Sequence, residues 1–340
     1  MAYTRLGTIN GAAADGSAEY DLFLKVFSGE VLSTFQESNR FMDKHMVRTI
    51  TSGKSAQFPV LGTAGTKYHT PGDSLIESAS GAYISGVLAN EKVINIDQFL
   101  TSNVMIADAD ELMNHYDVRS EYASAIGRAL AKQMDTNIIS SVYGAAAQPT
   151  TLTGGNAGTQ LVSTKATADV TGAELISAAF DAAQALDEHD VPQEDRFMAV
   201  RPAEYYKLAE AGNLVNRDYT AASNGSIADG NVLRVAGFDI VMSNNIPAAD
   251  DSGTPDAGIR NDVHGATGKG YTNAVLWSEL HALFFHKSAV GTVKLADLSV
   301  ESEYQLERLS TLFVAKYMCG HGVLRPESAV SYAKAVQAGA

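Results

Sequence analysis

The most regular pattern of apolar and polar positions lies in residues 108–143. Apolar side chains recur there at every fourth position, which places them along one side of an α-helix. Acidic residues at the start of the stretch suit the positive end of the helix dipole. At 1.5 Å per residue this helix would be about 50 Å long, more than a compact monomeric domain uses. We therefore predict a rod-like spine helix in an elongated subunit. The apolar row consists of Val118, Tyr122, Ile126, Leu130, Met134, Ile138 and Val142.

A second apolar stripe lies near the start of the chain, in residues 20–35. Phe23, Phe27, Val31 and Phe35 are spaced four residues apart, which is again the spacing of one helix face. The stripe predicts either a core helix of the same domain or a helix on an N-terminal arm that packs against a neighbouring chain.

Residues 62–92 are rich in glycine, serine and threonine and lack the periodicity of a core element. A connection of this length is unusual inside a compact domain. As a β-hairpin, each half would reach roughly 50 Å from the body, and an isolated hairpin would need a neighbouring subunit to lie on. A projecting hairpin and a loose surface loop are both compatible with this composition. Pro59, in the strand-like residues 48–61, predicts a sheet edge.

Residues 171–288 alternate between helical and strand-like patterns, which predicts a mixed α/β unit around a central sheet. Thr171 and Glu174 have the capping-box spacing of a helix start, and Pro202 suits the first turn of another helix. After residue 289, two strand-like runs could pair in antiparallel fashion against the spine helix, so that the chain returns to its earlier half. The predicted strands cover residues 196–200, 238–242, 274–277, 280–286, 293–300 and 309–318.

The charge balance excludes several classes of function. The 340 residues include 25 Lys and Arg and 39 Asp and Glu, for a formal net charge of −14. A protein that grips nucleic acid normally presents a basic stripe to the phosphates, and anionic membranes attract basic segments for the same reason. The single cysteine, Cys319, excludes a disulfide within the chain and a cysteine-rich zinc site. The chain has no stretch of about 20 apolar residues, so we expect no membrane span.

No constellation of reactive side chains points to catalysis. The Gly-Lys-Ser triplet at 53–55 lacks the upstream glycine of a phosphate-binding loop, because Arg48 occupies that position. Cys319 and His321 would share a strand face, but two ligands do not make a metal site and no orienting carboxylate is near them in sequence. We expect a packing role for this pair. We predict no catalytic, cofactor-binding or metal-ligating residues, and no enzyme activity.

Eight segments, spread in order along nearly the whole chain, carry a family resemblance. They are LFLKVFSGEVL (22–32), HMVR (45–48), SGKSAQFPVLG (52–62), PGDSL (71–75), EKVINID (91–97), MNHYDVRSEY (113–122), HKSAVGTVKL (286–295) and AKYMCGHGVLRPE (315–327). In these segments the chain resembles the major capsid proteins of short-tailed phages of the T-seven-like group, the autographiviruses and their cyanophage relatives. The match fades in residues 1–18, 145–170 and 247–273, whose composition predicts a tail and loops.

The resemblance implies an α+β fold, the Hong Kong 97 fold of tailed-phage capsids. This fold has an N-terminal arm, an extended β-hairpin loop, a peripheral domain that contains the long spine helix, and a mixed α/β axial domain. In this chain the arm would cover residues 1–61, the extended loop 62–92, the peripheral domain 93–170 and 289–340 with the spine helix at 108–143, and the axial domain 171–288.

The function that the resemblance implies is architectural. Subunits of this family form the hexamers and pentamers of an icosahedral shell around double-stranded DNA. A procapsid is built first, with a scaffolding protein and a portal protein, and it then expands. The implied location is the virion capsid, assembled in the host cytoplasm without membrane contact. The alternatives are an encapsulin-like nanocompartment shell, which shares the fold but holds protein cargo, and a mixed α/β enzyme, which would need a pocket with convergent titratable groups.

In such a shell, contacts between subunits would supply the strength that disulfides cannot. We predict that aromatic residues and a proline of the arm and the extended loop lie partly at these contacts. We also predict that a charged pair on the spine helix forms ion pairs between spines, each contributing about 0–1 kcal/mol. The predicted interface residues are Phe23, Phe27, Phe35, Tyr68, Pro71, Tyr83, Arg119 and Glu121.

Overall fold

A computed structural model describes residues 39–62, 64–72, 74–76, 87, 89–96, 99–107, 119–150, 156–211, 234–247 and 277–334. The helices of this part are α1 (Arg119–Ala147), α2 (Gly172–Glu188) and α3 (Pro202–Glu210). Its strands are β1 (Met46–Thr49), β2 (Ser55–Leu61), β3 (Ala89–Asn95), β4 (Leu100–Ala107), β5 (Thr159–Ser163), β6 (Arg196–Val200), β7 (Arg234–Val235), β8 (Phe238–Met242), β9 (Leu280–His286), β10 (Val290–Gln305), β11 (Ser310–Val323) and β12 (Ala329–Lys334). This mixture of helices and strands confirms the predicted α+β class.

Helix α1 is the predicted spine helix. Its apolar row is buried from Ile126 to Val142, where each member is at most 3% exposed. The 29 residues span about 43 Å at 1.5 Å per residue, and the helix packs against strands of two different sheets, β11 and β12. It ends at Ala147 rather than near residue 143, shortly before Pro149, because the residue before a proline is disfavoured in the helical conformation. The predicted first part, residues 108–118, lies outside the described residues.

Strands β10 and β11 form a long antiparallel hairpin, in which Val290 lies opposite Val323 and Gln305 lies opposite Ser310. β1 flanks β10 in parallel orientation and β4 flanks β11 in antiparallel orientation, which makes a four-stranded sheet. Alternate residues of β11, such as Tyr317, are buried in the same core as α1, because side chains alternate between the two faces of a strand. The predicted antiparallel pairing against the spine helix is confirmed.

The chain from Asn39 onward is packed on this body. Phe41 is fully buried in the core around α1, and β1 extends the four-stranded sheet. Within the predicted arm of residues 1–61, residues 39–61 therefore make sheet and core contacts with the rest of the chain. Residues 1–38 lie outside the described part.

The second sheet has six strands in the order β5-β12-β9-β6-β8-β7, and α2 and α3 pack on it. The predicted start of α2 is confirmed, because Glu174 Oε2 accepts a hydrogen bond from the backbone N–H of Thr171 at 2.9 Å. Two of the strands, β5 and β12, lie outside the predicted axial range of 171–288. They pair with each other in parallel although they are far apart in sequence. Local periodicity therefore gave no sign of their pairing.

The connection predicted at residues 62–92 has a two-stranded base. β2 pairs with β3 in antiparallel fashion, with Ser55 opposite Asn95 and Leu61 opposite Ala89. We refer to these two strands as the ribbon. Pro59 lies opposite Glu91, a tolerated position because both strands of the ribbon are sheet edges. The connection therefore leaves and re-enters the body at one place, and residues 64–72 and 74–76 form no strand.

Three glycines of the β10–β11 hairpin form the surface under the ribbon. A Cβ atom on Gly320 would collide with the carbonyl oxygen of Asn95, and one on Gly322 would lie 2.8 Å from Ile94 Cγ1. A Cβ atom on Gly291 would also crowd Ile94, at 3.3 Å from its Cδ1. Ile94 itself is only 2% exposed. The bare backbone of the glycines therefore lets the ribbon lie directly on the hairpin, in what we term the glycine seat (Gly291, Gly320 and Gly322).

The close contact at the glycine seat predicts that a side chain there lowers the stability of the subunit. Replacing Gly320 with alanine forces its Cβ atom into the Asn95 backbone, and overpacking of this kind costs roughly 1–3 kcal/mol. We expect the Gly320→Ala subunit to unfold at lower urea concentration than the parent chain. The control is Ser302→Ala at an exposed position of β10, which should change the free energy of unfolding by less than about 0.5 kcal/mol. Equal stability of the Gly320→Ala and parent subunits would contradict the close approach described here.

Candidate functional site

Two of the eight residues predicted at subunit interfaces can be placed with their side chains. Tyr68 is 99% exposed, and Pro71 is also exposed three residues further along the connection. Arg119 begins the described part of α1 and Glu121 lies in its first turn, but the side chains of this pair lie outside the described part. Phe23, Phe27, Phe35 and Tyr83 lie outside the described residues altogether.

The connection carries large apolar side chains that the rest of the described chain does not cover. Tyr68 is accompanied by other exposed apolar residues before and after it. A single exposed apolar residue needs no explanation, but a concentration of them marks a contact surface. We call this set the connection patch: Leu61 (66% exposed), Tyr68 (99%), Leu75 (59%), Ile76 (70%) and Val87 (49%).

A second exposed apolar group lies at the turn between β10 and β11. Tyr304, Leu306 and Leu309 are 48%, 76% and 61% exposed. Leu309 has φ 45° and ψ 52°, the left-handed conformation that a leucine rarely adopts. The turn is therefore held in a defined shape while its apolar side chains face solvent in the single chain. We call these three residues the hairpin tip.

Asp135 joins three parts of the fold at the middle of α1. The side chain is fully buried, and its carboxylate accepts hydrogen bonds from the backbone N–H groups of Arg40 at 3.1 Å and Phe41 at 3.3 Å. The side-chain amide of Asn245, from the turn after β8, donates to the same carboxylate at 2.7 Å. Burial raises the pKa of Asp135 above its usual value, although these hydrogen bonds oppose the rise. One carboxylate thus ties the entering chain, the spine helix and the six-stranded sheet together.

A buried chain of polar groups runs from the entering segment across β10 to β11. His45 Nδ1 lies 2.9 Å from the carbonyl oxygen of Phe41, and His45 Nε2 lies 2.6 Å from Thr292 Oγ1. Thr292 Oγ1 lies 2.8 Å from His321 Nδ1, and His321 Nε2 lies 3.4 Å from Cys319 Sγ. We call these groups the histidine chain.

The carbonyl oxygen of Phe41, at one end of the histidine chain, determines which atom is the donor in each of its hydrogen bonds. A carbonyl oxygen only accepts, so Nδ1 of His45 carries the proton and, in the neutral ring, Nε2 accepts from the Thr292 hydroxyl. The Thr292 oxygen then accepts from Nδ1–H of His321, whose Nε2 accepts from the Cys319 thiol. Both imidazoles are therefore neutral with Nδ1 protonated, and each of the four contacts is a satisfied hydrogen bond.

Burial keeps these two rings neutral. Loss of water lowers the pKa of His45 from 6.5 to about 4, although the bond to Phe41 opposes the shift. Lys294 and Lys287 lower it further, and Asp43 acts in the opposite direction. Burial lowers the pKa of His321 to about 3, with a contribution from His45. The histidine chain is closed to solvent and internally bonded, so its chemistry suits attachment of the segment rather than proton transfer to a substrate.

Other kinds of site are not seen in the part of the chain that the structure describes. There, no group of three or more His, Cys, Asp or Glu side chains is arranged to hold a metal ion. Among the described helices, none is long and apolar enough to cross a membrane.

Sequence reasoning singled out Cys319 and His321 but missed their partners. Thr292 and His45 are 247 positions apart, so no local spacing links them. Asp135 did carry a signal, because the residues four positions before and after it, Ala131 and Ile139, are apolar and prove to be buried. An aspartate within such an apolar row indicates a buried carboxylate with dedicated donors.

The chain is similar in sequence and structure to known capsid proteins. The Gp10A-like family, described as "Major capsid protein", matches residues 57–333. The chain is 37% identical to the major capsid protein of Escherichia phage T7 over 340 residues, which cover 96% of this chain and 95% of that protein. It is 34% identical to the major capsid protein of Enterobacteria phage T3 over 336 residues, with 96% and 95% covered. A chain from the capsid structure of the Cyanophage P-SCSP1u matches with a TM-score of 0.73 and 41% identity, over 98% of this chain and 99% of that chain.

The family match and the two relatives place the chain in the class of shell-forming subunits of phage capsids. The implied Hong Kong 97-like fold is thereby confirmed. The chain belongs to the Gp10A-like family of major capsid proteins. It is a virion structural protein of an icosahedral phage capsid, related to those of T7 and T3. The encapsulin-like alternative is not favoured.

The Asp135 junction makes a prediction about the entering segment. Asp135→Asn keeps the shape of the side chain but offers an N–H₂ group where two backbone N–H groups and one amide donate. We expect faster hydrogen exchange at the amides of Arg40 and Phe41, and a loss of roughly 1.5–3 kcal/mol in the free energy of unfolding. Asp181→Asn on the exposed face of α2 is the matched control and should leave both quantities unchanged. Unchanged exchange at Arg40 and Phe41 in Asp135→Asn would rule out the junction.

The histidine chain predicts how the free energy of unfolding depends on pH. The unfolded chain binds protons at His45 and His321 below about pH 6.5, whereas the folded chain does so only near pH 4 and pH 3. The unfolded state therefore holds more protons in this window, and the free energy of unfolding decreases as pH falls through it. Between pH 6.5 and pH 3, we expect the free energy of unfolding of His45→Gln to decrease by about 3 kcal/mol less than that of the parent chain.

Urea unfolding at a series of pH values checks this prediction. Ser302→Ala, at an exposed position of β10 and without a titrating group, is the control and should show the same pH dependence as the parent chain. If His45→Gln and the parent chain lose stability in parallel as the pH falls, burial of a neutral His45 is wrong.

Proposed function

We propose that this chain is the coat subunit that forms the hexamers and pentamers of a closed icosahedral shell. The observation that carries the proposal is the connection patch. Its side chains are up to 99% exposed, while the ribbon that carries them is seated on the body. Exposed apolar area of this kind gains free energy when another chain covers it. The hairpin tip offers a second surface of the same kind.

Individual contacts follow from the same reasoning. Tyr68 and Pro71 lie at the interface with the subunit under the connection, together with Tyr83. Phe23 and Phe27 contact a neighbouring subunit from the N-terminal segment. Arg119 and Glu121 form ion pairs between spine helices. Each exposed pair contributes about 0–1 kcal/mol, so these pairs set register more than strength.

Hexamers and pentamers require one sequence to fit unlike surroundings. Asp135 and the histidine chain attach the base of the N-terminal segment to the subunit, at residues 40–45. The glycine seat attaches the ribbon, which is the base of the connection. Because both bases are fixed, the rest of the N-terminal segment and of the connection can adopt different angles without disturbing the core. The same property supports a procapsid that expands on maturation.

Further partners follow from the coat role. The shell assembles in the host cytoplasm around a scaffolding protein, takes up a portal protein, and encloses double-stranded DNA without binding a specific sequence. The net charge of −14 supports this, because a container with a basic inner wall would hold its polyanionic cargo through counterion release. We infer an acidic or near-neutral inner wall.

We also infer that the chain is not an enzyme. Catalytic sites place titratable groups at a cleft where a substrate reaches them. Among the described residues, the polar groups brought together at the histidine chain are buried and bonded to one another. They hold segments of the chain together and face no substrate.

Electron microscopy of the purified protein tests the coat proposal. We expect uniform icosahedral shells when the chain is produced with its scaffolding protein, and irregular assemblies or free subunits without it. In Tyr68→Ala, we expect the yield of closed shells to fall at least several-fold while the subunit stays folded, because the connection patch loses its most exposed aromatic side chain.

Tyr206→Ala is the matched control, since Tyr206 is also an exposed tyrosine, at 62%, but lies on α3 away from the connection. Shells should form at the parental yield in this variant. A soluble monomer in the presence of the scaffolding protein would overturn the coat proposal. Parental yield in Tyr68→Ala would overturn only the role of the connection patch.

A further inference from the structure

A groove of about 610 Å³ opens between the entering segment, helix α1 and the β10–β11 hairpin. Met134 of α1, Leu298 of β10 and Tyr317 and Cys319 of β11 line it, together with the charged side chains of Asp43, Lys294 and Asp297. Asn39, the first described residue, lies at its edge. This volume is in the range of natural binding cavities.

An irregularity in the pairing of β10 lies beside the groove. The register of β10 against β11 shifts twice, between Lys294 and Ala296 and between Ala296 and Ser299. A bulge of this kind bends the strand and interrupts its pairing. Three residues at this irregularity, Lys294, Ala296 and Leu298, line the groove.

The lining shows what the occupant must offer. Met134, Leu298 and Tyr317 give the groove an apolar part that an apolar side chain fits, beside its charged residues. Asn39 adds a polar requirement, because its Nδ2 is buried without a hydrogen-bond partner among the described residues, while its Oδ1 accepts from the backbone N–H of Met42 at 2.9 Å. A buried unpaired donor costs about 1–3 kcal/mol. A peptide segment supplies both an apolar side chain and a carbonyl acceptor.

We propose that the groove is the seat of the chain's own segment that precedes Asn39, with Phe35 as the side chain that enters it. The segment reaches the described body at the edge of the groove, and Asp135 fixes its path at Arg40 and Phe41. Phe35 is four residues from Asn39, a span of at most about 14 Å. The three residues between them, Gln36, Glu37 and Ser38, are polar, so Phe35 is the first large apolar residue that the segment brings to the groove.

This assignment does not depend on the coat proposal, because it concerns a contact within one chain. It revises the expectation from sequence that Phe35 lies at a subunit interface, and it leaves Phe23 and Phe27 available to a neighbouring subunit. Filling the groove with Phe35 would also pin the N-terminal segment close to its root, so that only the residues before it reach outward.

The single cysteine of the chain makes the test direct. Cys319 lies in the groove lining and is the only thiol in the sequence. In Phe35→Cys, mild oxidation with copper phenanthroline should form one disulfide between residues 35 and 319 of the same chain, because a disulfide requires Cα atoms within about 7 Å. The product runs as a faster monomer on a non-reducing gel and loses both free thiols. We expect it to form at least tenfold faster than the corresponding product in Phe23→Cys.

Labelling of Cys319 by a maleimide provides a second measurement without a new cysteine. We expect at least tenfold faster labelling in Phe35→Ala than in the parent chain, and parental labelling in the matched control Phe27→Ala. A covalent dimer in oxidised Phe35→Cys would mean that a second copy fills the groove, and would overturn the proposal. The absence of a cross-link, with Phe35→Ala labelled at the parental rate, would overturn it as well.

Discussion

The alternation of side chains along one short stretch of β11 is the constraint on which the rest of the subunit depends. Cys319 and His321 point to one face and bond through Thr292 to the segment that enters the body. Gly320 and Gly322 present bare backbone to the other face, where the ribbon lies. The period of two in a β-strand thus lets four consecutive residues attach two different parts of the chain. A one-residue shift in register would exchange the two faces and lose both attachments.

The spine helix α1 connects the four-stranded sheet, which contains β11, to the six-stranded sheet. α1 packs on β11 and β12, which belong to different sheets, and Asp135 receives donors from the entering segment and from the turn after β8. The helix therefore acts as a common support rather than as a rod on the surface. Its apolar row supplies the burial, and the buried carboxylate supplies the directional bonds that set the position of each neighbour.

Much of this fold was predictable where the information is local. The four-residue row of α1, the alternation in β10 and β11 and the capping box at Thr171 all follow from short spacings. The parallel pairing of β5 with β12 and the meeting of His45 with Thr292 did not, because their partners are brought together only by the whole topology. The predicted interface residues lie mostly outside the described part, and the exposed Tyr68 and Pro71 stay consistent with contacts that a single chain does not contain.

The neutrality of the histidine chain has a consequence for ionic strength. Salt screens interactions between exposed charges over about 8 Å at physiological concentration, but hardly affects buried neutral hydrogen bonds. Surface pairs such as Lys316–Glu301, at 2.7 Å, belong to the first kind, and the bonds from Phe41 to Cys319 belong to the second. A change in salt therefore acts on charged contacts at the outside of the subunit and leaves the root of the N-terminal segment where it is.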